Sequence, residues 1–263
     1  MSKAIYTPKG KAGEYAEWAC NLYVGCSNDC SYCYCKRGVL AHAMGGPTPK
    51  LKSCFKDENH ALDIFIKELE ANLPELQKSS LFFTFSSDPM IPETRKLNWD
   101  CIVQAVINDV PVQVLTKNAD FIKDEYIGLG HVMAGAKIHE KIAWGFTLTG
   151  RDDLEPGASR TEERIEAMEM LHRAGYRTFA SLEPVVTPKV TASIAEKIAP
   201  YCDLIKVGLM SGVPHEYYKY NEVMDLAMRL NDAPVAVQFK HSISDYLGWD
   251  RMNPISVFKC RAL

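Results

Sequence analysis

The sequence predicts an α/β fold on a parallel sheet, and three observations lead there. Seven short, β-rich apolar runs recur along the chain, at 20–25, 80–86, 110–116, 142–148, 177–183, 203–209 and 234–239. These runs are nearly continuous rather than alternating, as expected of strands covered on both faces. Longer segments of helical period separate them. Strand and helix alternate six times before a seventh strand and a tail, which implies a sheet that is doubly wound or curved toward a (β/α) barrel.

Each intervening segment carries its own signal. In "HALDIFIKELEANL", Leu62, Phe65, Ile66, Leu69 and Leu73 form one apolar stripe. "TRKLNWDCIVQAVIND" and "NADFIKDEYIGLGHVM" follow. "SRTEERIEAMEMLHRAG" opens on Ser159 as N-cap with Glu162 three residues on, and closes at Gly175. "TPKVTASIAEKIAP" and "EYYKYNEVMDLAMRLN" complete the set. No linker, low-complexity run or repeat divides the chain, so one domain is expected over 1–263. Its core barrel would run over 18–210, with a C-terminal helix, strand and tail over 211–263.

Composition narrows the function classes. Of the 263 residues 47% are hydrophobic and 24% charged, which is ordinary for a globular protein and argues against disorder. The net charge of -3 advertises no nucleic-acid or membrane partner, although a local basic patch is compatible with it. No apolar run reaches the roughly 20 residues that cross a bilayer. The N-terminus lacks a signal-like segment, so a cytoplasmic, reducing location is expected. There, clustered thiols read as metal ligands or catalysts before disulfides.

Four of the nine cysteines fall in "CSNDCSYCYC", directly after the first predicted strand. Cys26, Cys30 and Cys33, in a C-x3-C-x2-C spacing, can converge on one soft metal centre. A structural zinc site is the bland alternative, but such sites close with four ligands from paired knuckles. Neither a second C-x2-C nor a histidine pair is present, and Cys35 lies cramped beside Cys33. Three ligands and one vacancy suit a cluster with an open iron better.

The motif, with Tyr32 before its third cysteine, resembles the signature of the radical S-adenosylmethionine (SAM) superfamily. That resemblance implies a partial (β/α)6 TIM-like barrel with a [4Fe–4S] cluster on Cys26, Cys30 and Cys33. Its fourth iron would be chelated by SAM, which one electron cleaves to methionine and a 5′-deoxyadenosyl radical. It also implies an external electron donor of flavodoxin or ferredoxin type. Together with "FSSDPMIPE", "LTKNAD" and "GFTLTGRDDLEPG" at later strand ends, the motif is similar to the spore photoproduct lyase-like branch over about Asn21 to Glu183.

By that match, Ser87 and Asp88 would contact the SAM amino group or ribose, and Lys117 the carboxylate. Thr147 stands where the family has a SAM-contacting serine. Arg164 either reaches the carboxylate or forms an i,i+4 ion pair on its helix surface. Glu183, ending a strand before Pro184, binds SAM or substrate or caps the next helix. Tyr32 would pack on adenine, and Tyr34 would relay a radical or pack on the barrel.

The chain departs from those lyases at Phe85, which stands where they keep a hydrogen-donating cysteine. Cys35 and the tail's Cys260 are the candidate replacements, Cys260 by folding over the barrel mouth. No basic, aromatic-laced hairpin for damaged DNA is evident, so nucleic-acid lesion repair is the lesser alternative. A non-enzymatic zinc or iron–sulfur protein is the alternative from another class. Of the histidines, His241 is placed at a strand end. Substrate contacts are expected from 38–55 and from the tail after Phe239.

Overall fold

The structure is a computed structural model describing residues 4–38, 40–123 and 138–260. Its strands are β1 (Ile5–Tyr6), β2 (Trp18–Cys20), β3 (Tyr23–Val24), β4 (Lys50–Leu51), β5 (Leu81–Phe83), β6 (Val112–Thr116), β7 (Ile142–Thr147), β8 (Arg177–Val185), β9 (Leu204–Leu209) and β10 (Ala236–Phe239). One sheet runs β1-β2-β5-β6-β7-β8-β9-β10. From β2 onward every neighbour is parallel, and β1 is an antiparallel edge. β3 and β4 form a separate antiparallel ribbon.

The helices are α1 (Leu40–Met44), α2 (Glu58–Ala71), α3 (Leu73–Lys78), α4 (Arg95–Ile107), α5 (Ile138–Lys141), α6 (Thr161–Arg173), α7 (Pro188–Ile198), α8 (Tyr220–Asn231) and α9 (His241–Leu247). They cover the outward face of the sheet. Phe65 and Leu69 of α2 and Ile102 of α4 share one core with Trp144 and Phe146 of β7 and Val207 of β9. Each such side chain, fully buried, contributes about 1.5–3 kcal/mol. Inward-facing residues form a second cluster of Ala19, Phe82, Ala143, Phe179 and Leu204. Gly145 admits the Phe179 ring there, because a Cβ on it would lie 2.2 Å from that ring.

The sheet is an open barrel with β1 and β10 as its edges. The connection between β1 and β2 crosses to the far edge. Its 3₁₀ turn, Gly10–Glu14, and Tyr15 are tied to β9, β10 and α9. Lys206 Nζ donates to the Tyr15 carbonyl at 3.0 Å and Gln238 Nε2 to the Glu14 carbonyl at 3.0 Å. The His241 amide donates to Glu14 Oε2 at 2.8 Å.

Three expectations change, and a fourth is described only in part. The run at 20–25 contributes only Cys20 to the sheet; β2 starts at Trp18, and Tyr23–Val24 turns away to pair with β4. Helix α6 is capped at Arg160, whose amide donates to Glu163 Oε2 at 2.7 Å, not at Ser159. Ser159 instead accepts from the Ala119 amide and donates its own amide to the Lys117 carbonyl. Cys260 packs with Val257, Ala143 and Phe179 beside the start of β8, where Arg177 bonds its carbonyl. The tail therefore closes the bottom of the barrel, away from its mouth. The segment 118–133 has a 3₁₀ turn at Asp120–Lys123; its continuation, with His131, lies outside the described residues.

Candidate active site

A cavity of about 450 Å³ opens at the C-terminal ends of the parallel strands. The cysteine loop forms one side, and three other segments hold it. Its entry bends at Gly25, φ +81°, where a Cβ would lie 2.6 Å from the Thr48 carbonyl. The amides of Gly25 and Cys26 donate to the carbonyls of Met44 and Gly46. After β5, Ser86 Oγ donates to the Tyr23 carbonyl at 2.5 Å and Ser87 Oγ to that of Gly25 at 2.6 Å. After β7, Gly157 donates to Asn28 O, and Ser31 donates to Leu154 O. The fit is tight: a Cβ on Gly157 would lie 2.0 Å from the Ser27 carbonyl.

Asp88 joins these segments. Its Oδ1 accepts from the Met90 amide at 2.9 Å and Thr116 Oγ1 at 2.6 Å. Its Oδ2 accepts from Asn28 Nδ2 at 2.8 Å and the Lys117 amide at 2.7 Å. Both oxygens are thus engaged by the protein itself. The lysine side chain lies near the cysteines. Burial disfavours the charge on Lys117, but Cys30, Glu155 and Asp88 outweigh burial and hold its pKa above the ordinary value. Its ammonium also sits 5.7 Å from the Tyr32 ring centre.

All nine cysteines are free thiols. Cys26, Cys30 and Cys33 line the cavity. Burial pushes the Cys26 thiol up to about 12, and burial raises Cys30 too, against the pull of Lys117. The hydrogen bond from Cys35, aided by Lys117 and Lys36, lowers Cys33 to about 6. Cys35 is buried, with its Sγ 3.8 Å from the Phe85 carbonyl, which also accepts from the Tyr34 phenol. Among the described residues no three His, Cys, Asp or Glu side chains are gathered as for a single metal ion. A single ion needs thiolates about 2.3 Å away, whereas a four-iron cluster spreads its ligands over separate irons. The donor set of three cavity-facing thiols fits such a cluster.

Of the other sequence-derived candidates, Tyr32, Tyr34, Ser87, Lys117, Thr147 and Glu183 line the cavity, as does Asp88. Arg164 does not. Its guanidinium is fully buried behind the wall, where Nη2 pairs with Glu155 Oε2 at 2.5 Å and Nη1 donates to the Thr147 carbonyl at 2.6 Å. The other Glu155 oxygen accepts from the Tyr32 phenol. Neither of the two roles expected of Arg164 matches that placement: it braces Tyr32 through Glu155. His241 also stays outside the lining, and from the segment after Phe239 only Lys240 enters it. Met44 and Gly46 represent the 38–55 loop.

Nothing in the sequence singles out Tyr15, Ser181 or Lys240. Tyr15 donates its phenol to Glu183 Oε2 at 2.8 Å and lies 2.8 Å from Ser181 Oγ. Lys240 Nζ reaches the same Glu183 oxygen at 2.5 Å and stands 4.1 Å above the Tyr15 ring. Burial, then the Glu183 charge, raises the Tyr15 pKa and keeps it a phenol.

No family model matches the sequence. Streptococcus suis SuiB, solved with S-adenosylmethionine bound, superposes on 89% of this chain and 53% of its own, with a TM-score of 0.54 and 12% identity. The two share the α/β fold of an open, mostly parallel barrel. A spore photoproduct lyase mutant aligns with 90% of this chain and 63% of its own at a TM-score of 0.48 and 16% identity. In sequence, the uncharacterized protein MJ0683 of Methanocaldococcus jannaschii is 25% identical over 183 residues, 65% of this chain and 61% of its own. The chain thus spans about half the length of SuiB and about three fifths of that relative. The cavity lies where the parallel strands of this barrel end, the usual place for chemistry in such sheets.

Proposed function

We propose that this chain is a radical SAM enzyme acting on a substrate still to be identified. One observation carries the reading: the C-x3-C-x2-C thiols share a single cavity with Ser87, Lys117 and Thr147 at the C-terminal strand ends of an open parallel barrel. Cys26, Cys30 and Cys33 would hold a [4Fe–4S] cluster. Cluster and SAM together would supply a 5′-deoxyadenosyl radical for hydrogen abstraction, with an external donor providing the electron.

The chain's own part is to bind, orient and shield. Ligation needs thiolates, and the Lys117 ammonium favours them. It also suits the SAM carboxylate, with Thr147 offering a hydroxyl, while Ser87, whose proton goes to the Gly25 carbonyl, can accept from the amino group or ribose. Asp88 acts through Asn28 and Lys117, because its oxygens are already occupied. Tyr34 and Cys35 are the groups proposed for hydrogen transfer, both held at the Phe85 carbonyl. Anaerobic reconstitution tests the reading. The expected protein is brown, bleaches with dithionite and forms 5′-deoxyadenosine from SAM. Cys30→Ala should abolish the visible band and Cys35→Ala should keep it; colourless protein holding stoichiometric zinc would refute the proposal.

A further inference from the structure

The cavity has two unlike sides. The cysteine loop and the ends of β5 to β7 supply thiols, Ser87, Lys117 and Thr147. The side formed by β8, β10 and the N-terminal segment supplies Tyr15, Ser181, Glu183 and Lys240. The polar groups there form a directional chain. A phenol has one proton, and Tyr15 gives its own to Glu183, so Ser181 donates to Tyr15. Glu183 Oε2 thereby receives both Tyr15 and Lys240, which fix its orientation. Glu183 Oε1 receives no hydrogen bond among the described residues.

That open oxygen has room around it. The Glu183 side chain is 17% exposed, against 2% for Lys240. Gly208 of β9 admits the clamped pair itself, since a Cβ there would lie 2.9 Å from Oε1 and 3.2 Å from Lys240 Cδ, and Oε1 is not among the sealed, unpartnered polar atoms of the described residues. An anionic acceptor at a cavity wall with one oxygen unused is a recognition group.

We propose that Glu183 Oε1 is the substrate-anchoring acceptor of this cavity, and that the substrate presents to it a neutral N–H or O–H donor on an apolar body. This rests on reading the cysteine-loop side as the cofactor side. The ligand's donor is neutral because Lys240 already compensates the carboxylate, and an arriving ammonium would face Lys240 with Lys206 behind it. The body is apolar because Phe85, Leu115, Leu209 and Met210 also line the cavity. Tyr15 and Lys240 are positioning residues, acting through the carboxylate they clamp.

Benzamide, which has N–H donors, and N,N-dimethylbenzamide, which has none, serve as probes in ligand-observed NMR titrations. Both are titrated into reconstituted protein with saturating SAM and into metal-free protein. A hydrogen bond to a charged acceptor contributes about 1.5–3 kcal/mol, so benzamide should bind at least about tenfold more tightly. Glu183→Gln, which keeps the volume but loses the charge, should remove that preference, and Tyr15→Phe should reduce it. Equal affinities in the wild type, or a preference that survives Glu183→Gln, would overturn the proposal. So would a variant that loses SAM affinity while keeping the preference, since Glu183 would then be a cofactor contact. Failure to take up iron or SAM would instead remove the enzyme reading, and the metal-free titration would still decide the role of Glu183.

Discussion

Lys206 lies inside the barrel with no exposure. Among the described residues its ammonium donates only to the Tyr15 and Glu14 carbonyls, at 3.0 and 3.5 Å, and it stands 5.1 Å from the Tyr15 ring centre. Burial, then repulsion from Lys240, lowers its pKa from 10.5 to about 7. Between those values the unfolded chain binds a proton that the folded chain does not, so stability rises with pH at up to about 1.4 kcal/mol per unit. The charged form is therefore the destabilising one, at its worst below pH 7. Lys206→Met removes the titration. Relative to wild type, the variant's stability should fall by about 1–2 kcal/mol between pH 7 and pH 9. Urea titrations of metal-free wild type and variant at both values measure it, and titrations common to the two proteins cancel. A difference that stays flat, or that moves in the variant's favour as pH rises, would refute this account of the buried amine.

Three further outcomes follow from the packing. Gly157→Ala should drive the Ser27 carbonyl, and the cysteine loop with it, away from the segment after β7, and stoichiometric iron uptake should fall while far-UV circular dichroism is retained. Arg164→Ala should cost about 3–5 kcal/mol in urea unfolding, because it leaves the Glu155 carboxylate buried and unpaired. Asp88→Asn turns one acceptor oxygen into a donor facing two existing donors. A loss of about 2–4 kcal/mol is expected in the same assay.

The strands at Val112–Thr116, Ile142–Thr147 and Leu204–Leu209 were legible because both of their faces are covered, which writes them as unbroken apolar runs. The first run misled for a local reason. Its Leu22 and Tyr23 are buried in the main core, but Tyr23 pairs with the ribbon strand Lys50–Leu51, and Asn21 has turned to accept the Phe85 amide. Apolarity reports burial and is silent on which partner provides it. The cysteine loop was legible because its spacing is local. Tyr15 was not: its partners Ser181 and Glu183 are 166 and 168 residues away, and "KAGEYAEW" reads as a polar turn. Arg164 invited an i,i+4 pairing, yet its carboxylate comes from Glu155, nine residues earlier and off the helix. Lys240 hid beside His241, whose type drew the eye while its backbone amide does the bonding.

The segment that bridges the open edge also has a history in time. Glu14 is bonded to Gln238 and His241, 224 and 227 residues further on. During synthesis from the N-terminus, Gly10–Tyr15 leave the ribosome well before β10 and meet these partners only after it is made. Contacts of that separation carry a large loop-closure cost and form late. A nascent chain can therefore hold its cysteine loop against β5 and β7 while the Glu183 side of the cavity still lacks Tyr15. The thiols and their supporting segments come together early, and the chamber that shields them is finished last.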